Sequence, residues 1–136
     1  MQLLDSIDRL AASKRQLAPV LLRIALGIVF VAHAYAKIAV FTLPGTVAFF
    51  QAHGIPGWTA YPVMVTELVG GVCLIAGVRV RLVAAALLPV MLGALIPHAG
   101  NGWLFSYPGG GWEYVAFLIF ALTAQFLLGR GGTDSE

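Results

Sequence analysis

Charge is scarce in this chain: Asp, Glu, Lys and Arg together make up 10% of its 136 residues. Soluble domains carry about 25%, so an ordinary solvated surface is excluded. The positive excess, eight Lys plus Arg against six Asp plus Glu, is too small and scattered for nucleic-acid binding. Cysteine is nearly missing as well. Cys73 alone rules out an internal disulfide, a Cys-x-x-Cys redox pair and a thiolate zinc site, and no metal is expected. Any thiol chemistry must therefore come from a partner.

What fills the chain instead is apolar: 60% of its residues are hydrophobic and the mean hydropathy is +0.89. A soluble domain this short cannot bury so much apolar surface. A bilayer can, because lipid takes the place of the missing core. Crossing about 30 Å of hydrocarbon takes about 20 helical residues, and four stretches qualify: Pro19–Val40, Pro62–Val78, Val80–His98 and Trp112–Leu128. The expected fold is all-α, a four-transmembrane-helix bundle with short interfacial helices. Residues 19–129 form the bundle.

The segments around the spans are short. Residues 1–18 carry Asp5, Asp8, Arg9, Lys14 and Arg15 at helical spacing, which reads as an amphipathic helix on the membrane surface rather than a signal peptide. Residues 130–136 form a tail. Between the first two spans, Thr42-Leu43-Pro44 looks like a helix start and Gly54-Ile55-Pro56 like its stop. The loop from Gly100 to Gly111 carries Trp103, Phe105 and Tyr107, an aromatic set suited to the headgroup zone. With four spans, Arg9, Lys14, Arg15, Arg23, Arg79, Arg81 and Arg130 fall on one side and Lys37 alone on the other. The positive-inside rule then puts both termini in the cytoplasm.

The informative residues are those a lipid-facing helix avoids: His33, Lys37, Glu67, His98, Asn101, Glu113 and Tyr114. Alternating helix direction brings all seven to the outer end of the bundle. His33 and Lys37 are four apart and share a helix face. Glu67 is the deepest, and an unpaired charge at mid-bilayer costs roughly 2.5–3.5 kcal/mol. A Lys37–Glu67 pair would remove most of that cost. The cluster reads either as a polar lock fixing helix register or as a ligand and proton-transfer site. Arg23 is expected to reach out to the headgroups, and Gln125 to bond across helices. Pro89 and Pro97 are expected to kink the third span. Spans one and three each hold a histidine near their outer ends, His33 and His98, and spans two and four each carry a glutamate in their outer halves, Glu67 and Glu113. This is a faint twofold echo.

The order Leu22-Arg23-Ile24-Ala25-Leu26-Gly27, Ala32-His33-Ala34-Tyr35-Ala36-Lys37, Gly54-Ile55-Pro56, Glu67-Leu68-Val69-Gly70-Gly71, His98 with Asn101-Gly102, and Gly110-Gly111-Trp112-Glu113-Tyr114 resembles the DoxX family of small bacterial membrane proteins. The resemblance runs from about Val20 to Gly129. It implies four transmembrane helices, the bacterial cytoplasmic (inner) membrane and a link to membrane redox chemistry, since namesake relatives are subunits of a thiosulfate:quinone oxidoreductase. Other members associate with thiol and oxidative-stress enzymes.

Three functions are weighed. In a quinone-linked oxidoreductase subunit, His33 and His98 transfer protons, Glu67 relays them and Lys37 stabilises developing negative charge. Asn101, Trp112, Glu113 and Tyr114 are then the expected ligand-binding residues, and the quinone is the expected cofactor. The electron donor would be a partner redox enzyme. In the second reading the chain is a non-catalytic scaffold that anchors redox enzymes. In the third, His33 and His98 ligate a haem. Glycine-rich faces also make a homodimer an expectation.

Overall fold

The computed structural model describes residues 1–132, and these are helical throughout apart from turns. Residues 133–136, the end of the expected tail, lie outside the described residues. The helices are α1 (Gln2–Ser13), α2 (Leu17–Tyr35), which runs on without a break through a wider turn at Ala36–Val40, α3 (Leu43–Ala52), α4 (Ala60–Ala76), α5 (Val80–His98) and α6 (Glu113–Leu128). Leu17–Val40, Gly57–Ala76 and Val80–Asn101 are each long and apolar enough to cross a bilayer, while α6 is shorter. At 1.5 Å per residue its sixteen residues reach about 24 Å. The chain is a multi-pass helical membrane bundle.

Helix α2 packs on α4, α4 on α5, α5 on α6, and α6 back on α2. The four helices thus close into a ring, with α2 and α5 on one diagonal. The centre is filled by Leu26 and Phe30 from α2, Leu74 from α4, Leu87 and Met91 from α5, and Leu118 and Leu122 from α6. Lipid is as apolar as this core, so close packing rather than water exclusion holds such helices together. The tightest approach is between α2 and α4. A Cβ added to Gly27 would lie 2.6 Å from the Gly71 carbonyl oxygen, and one added to Gly71 would lie 2.8 Å from that of Gly27. The two backbones therefore touch.

At the end where α4 and α6 finish, the one expected to be inner, two arginines cap helix termini. Arg23 does not reach for headgroups as expected. Its Nη1 donates to the carbonyls of Leu74 and Ile75 at 2.9 and 2.6 Å, and its Nε to that of Arg130 at 3.2 Å. Arg81 Nε donates to the Phe126 carbonyl at 3.1 Å. The last carbonyls of a helix lack intrahelical partners and carry partial negative charge, so a cation there both bonds and neutralises. Gln125 does bridge helices, donating from Nε2 to the carbonyls of Pro19 and Gly129.

The twofold echo thus appears at the inner end, where an arginine from each odd span caps the following even one. At the other end the two glutamates stand at different depths, Glu67 midway along α4 and Glu113 at the first residue of α6. Helix α1 buries none of its residues. Leu3, Leu4, Ile7 and Leu10 share one face of it and are all exposed, as suits a helix lying in a membrane interface.

Candidate functional site

The outer end of α2 is unusual before any ligand is considered. Its last turn, Ala36–Val40, is a π-turn closed by the Phe41 N–H on the Ala36 carbonyl at 2.8 Å. Such turns hold one residue more than an α-turn and recur at functional sites. Lys37 lies within it. Directly after it comes Thr42 at φ 66°, a backbone state that costs a non-glycine residue about 1–3 kcal/mol. Thr42 caps α3, accepting from the Gly45 N–H at 3.2 Å. The buried Thr46 of α3 then reaches back. Its hydroxyl lies 2.9 Å from both the Lys37 and Thr42 carbonyls and shares its single hydrogen between them. Helix α3 is thereby seated on the turn that aims Lys37.

Lys37 is aimed at Glu67. Its Nζ donates to both carboxylate oxygens, at 3.0 and 2.8 Å. The Glu67 side chain is 1% exposed and that of Lys37 is 22% exposed. The pair joins α2 to α4 and compensates the deepest charge in the bundle. Two ammonium hydrogens are spent on Glu67, and the third finds no acceptor among the described residues. On the outer face of the same helices lies a small open apolar hollow of about 160 Å³, walled by Ile38, Leu43, Tyr61, Met64, Val65 and Leu68; neither Lys37 nor Glu67 is in its wall.

His33, one turn before Lys37, faces α6. Its ring stands edge-on to Tyr114, with centroids 6.1 Å apart, and to Phe30 at 6.5 Å. It makes no hydrogen bond to any described residue. His98 is held differently: its Nδ1 lies 2.7 Å from the Ala94 carbonyl. A carbonyl oxygen only accepts, so Nδ1 carries a hydrogen and Nε2 of the neutral ring is left as an acceptor. No hydrogen bond or ring contact joins His98 to His33, and no group of three or more metal-ligating side chains occurs among the described residues.

The remaining expected residues serve the loop over the outer end. Asn101 Nδ2 donates to the carbonyls of Pro97 and Gly110, each at 3.0 Å, pinning the loop to the end of α5. Glu113 Oε1 accepts from the Phe105 N–H at 3.1 Å, and the Glu113 N–H donates to the Trp103 carbonyl. Gly111 is so close to the Trp103 and Leu104 carbonyls that a Cβ there would collide with both. Trp112 stands edge-on behind Trp103, with centroids 4.5 Å apart.

Between this loop and α6 runs an open groove of about 540 Å³, walled by Trp103, Phe105, Tyr114, Phe117, Phe120 and Glu113. Trp112 and Asn101 are not in its wall. By their contacts the expected residues form three groups: the Lys37–Glu67 pair, the His33–Tyr114 contact, and a clamped loop carrying Asn101, Trp112 and Glu113, with the His98 ring against Gly110 of that loop. The first two share α2, and Tyr114 joins the second to the groove. Sequence reasoning missed Thr46, the π-turn, the arginine caps and the groove-lining Phe117 and Phe120. Only the last pair left a trace, a spacing of three on one face of α6, and it reads equally well as lipid-facing surface.

Residues 18–99 match the DoxX family. Over 92 residues the chain is 33% identical to the Bacillus subtilis (strain 168) protein named "Putative oxidoreductase CatD", an overlap of 63% of this chain and 67% of that one. No solved structure matches it. The family match contains His33, Lys37, Glu67 and His98 and stops short of Asn101, Trp112, Glu113 and Tyr114.

Proposed function

This chain belongs to the DoxX family, and from that premise we propose that it serves membrane redox chemistry as a quinone-linked oxidoreductase subunit. The supporting observation is the Lys37–Glu67 pair: a carboxylate 1% exposed and an ammonium whose third hydrogen has no acceptor among the described residues, both within a membrane bundle. Intramembrane ionisable residues are rare and mark functional pathways. The oxidoreductase name of the Bacillus subtilis relative points the same way.

The residues present fit a quinone in kind. A quinone taking up two electrons also takes up two protons, so its site needs an apolar wall, a cation and proton-bearing groups. The apolar wall is offered by the hollow of Ile38, Leu43, Tyr61, Met64, Val65 and Leu68, which lies on α2, α3 and α4 but does not itself contain Lys37 or Glu67. Lys37 supplies fixed positive charge where an oxygen becomes more negative. Glu67 holds or releases a proton at its carboxylate as Lys37 shifts between partners. His33 can carry a proton at a ring nitrogen, and His98 Nε2 can receive one, neither being bonded to another described residue. Cys73 is the sole cysteine, so the chain has no dithiol with which to donate electron pairs, and a partner redox enzyme is the donor in this reading.

The proposed setting is the cytoplasmic membrane, with both termini in the cytoplasm and the polar layer near the opposite face. The charge asymmetry of the loops supports it. Cysteines placed at Ser13 and Ser106 in a Cys73→Ala background test it: in intact cells an impermeant maleimide should label only the Ser106 position. Function is tested by thermal unfolding of the purified protein with a short-chain quinone. A saturable rise in Tm should appear in the native protein and vanish in the Lys37→Met/Glu67→Leu double variant. No rise at any quinone concentration would defeat the proposal.

The scaffold reading keeps one observation in its favour: α1 buries none of its residues, so its polar face stays free when its apolar face lies in the membrane. It differs in expecting Glu67 substitutions to harm folding and leave turnover of the partner enzyme intact.

A further inference from the structure

We propose that the groove along α6 is a second binding site, and that its ligand is a free lipid-soluble cation, an ammonium or phosphonium bearing aromatic or alkyl groups. The groove is walled by five aromatic residues, Ala116 and one acidic residue, Glu113, with no Lys, Arg or His in the wall. Aromatic faces attract cations and do so more strongly as water is excluded. Glu113 uses Oε1 to hold the Phe105 N–H, and Oε2 has no partner among the described residues. The Glu113 charge also suits the first turn of α6, and Oε2 remains available to a ligand.

Charge excludes the other candidates. An acyl chain needs no carboxylate. An anion would meet Glu113 without compensation, and a quinone gaining electrons would develop negative charge beside it. The groove thus carries one uncompensated acidic residue, whereas Lys37 and Glu67 offset each other, and the two sites suit different ligands. A choline headgroup presents a cation too, but brings its phosphate along, placing a second anion against Glu113. A free cation has no such burden. Phe117 and Phe120 are 67% and 77% exposed and lie on the outside of the bundle, so the groove opens toward lipid. A hydrophobic body on the cation is what would concentrate it there.

The test uses the full chain in neutral detergent, with tetraphenylphosphonium as probe and tetraphenylborate, of the same shape and opposite charge, as comparator, both followed by titration calorimetry. The cation should bind saturably and the anion should not. Glu113→Gln retains an acceptor for the Phe105 N–H and should weaken cation binding at least about tenfold, while Phe117→Ala/Phe120→Ala should weaken it roughly three- to tenfold. Lys37→Met/Glu67→Leu should leave it unchanged, so this site and the quinone site fail separately. Equal binding of the anion, or native affinity in folded Glu113→Gln, would overturn the proposal by showing a merely apolar groove. If Glu113→Gln does not fold, native affinity in the double phenylalanine variant overturns it instead. Displacement of the probe by dihexanoylphosphatidylcholine would assign the groove to lipid headgroups and overturn it as well.

Discussion

Lys37→Met is the most instructive single change. Glu67 is 1% exposed and both its oxygens are bonded to Lys37 Nζ, at 2.8 and 3.0 Å. Removing the lysine leaves a dehydrated carboxylate with no other donor, and breaking a buried pair in this way costs about 3–5 kcal/mol. The converse, Glu67→Gln, should cost less. Lys37 is 22% exposed and can swing its long stem toward the interface, so about 1–2 kcal/mol is expected, the net worth of a charged hydrogen bond. The double variant Lys37→Met/Glu67→Leu removes both charges together and should fall within about 1 kcal/mol of native, since apolar replacements of buried pairs are close to neutral.

Reversible unfolding in mixed micelles measures all three, and the cycle isolates the interaction. The reasoning is refuted if Lys37→Met costs no more than Glu67→Gln, or if the double variant is as destabilised as the sum of the singles. The double variant also separates function from folding. If the layer is a redox site, it should be stable and inactive. If the layer only fixes helix register, it should be stable and still support the partner enzyme.

Other expectations follow from the packing. Gly71→Val should cost about 2–4 kcal/mol, because its branches must enter the space held by the Gly27 carbonyl and Val31 and overpacking carries that scale of penalty; unfolding in mixed micelles reads it. Arg23→Gln should lower stability by about 1–3 kcal/mol, since it strips donors from three carbonyls at the inner end and such groups are expensive to leave unmade; faster amide exchange at the end of α4 would locate the loss. Asn101→Ala should leave the bundle intact while loosening the outer loop, seen as proteolysis within residues 102–111 with an unchanged Tm. Thr46→Val keeps shape but removes the hydroxyl that seats α3 on the π-turn; it should weaken quinone stabilisation of the protein several-fold and leave cation binding in the groove untouched.

The bundle was readable from residue order because lipid imposes a simple rule: a segment of sufficient apolar length can cross, and one with scattered charge cannot. The same rule made Lys37 and Glu67 conspicuous, since each violates it and together they cancel. Thr42-Leu43-Pro44 announced α3 through ordinary capping chemistry, which the structure realises at the Thr42 hydroxyl. Arg23 was misread because its position near a membrane edge suits two outcomes equally. Only the arrival of the α4 terminus beside it shows that carbonyls, not headgroups, take its hydrogens.

The sequence alone determined the class of protein, the number of helices and which charged side chains had to find one another, because hydrophobic length and charge cost are properties of segments. The tertiary structure decided what those side chains do, because bonds across helices depend on rotation and depth that no single segment specifies. It drew Lys37 onto Glu67 through a π-turn, set His33 against Tyr114, and turned Asn101 and Glu113 to holding a loop. It also placed one carboxylate among five rings in a groove facing lipid. That juxtaposition exists only once α6 and the loop before it are packed.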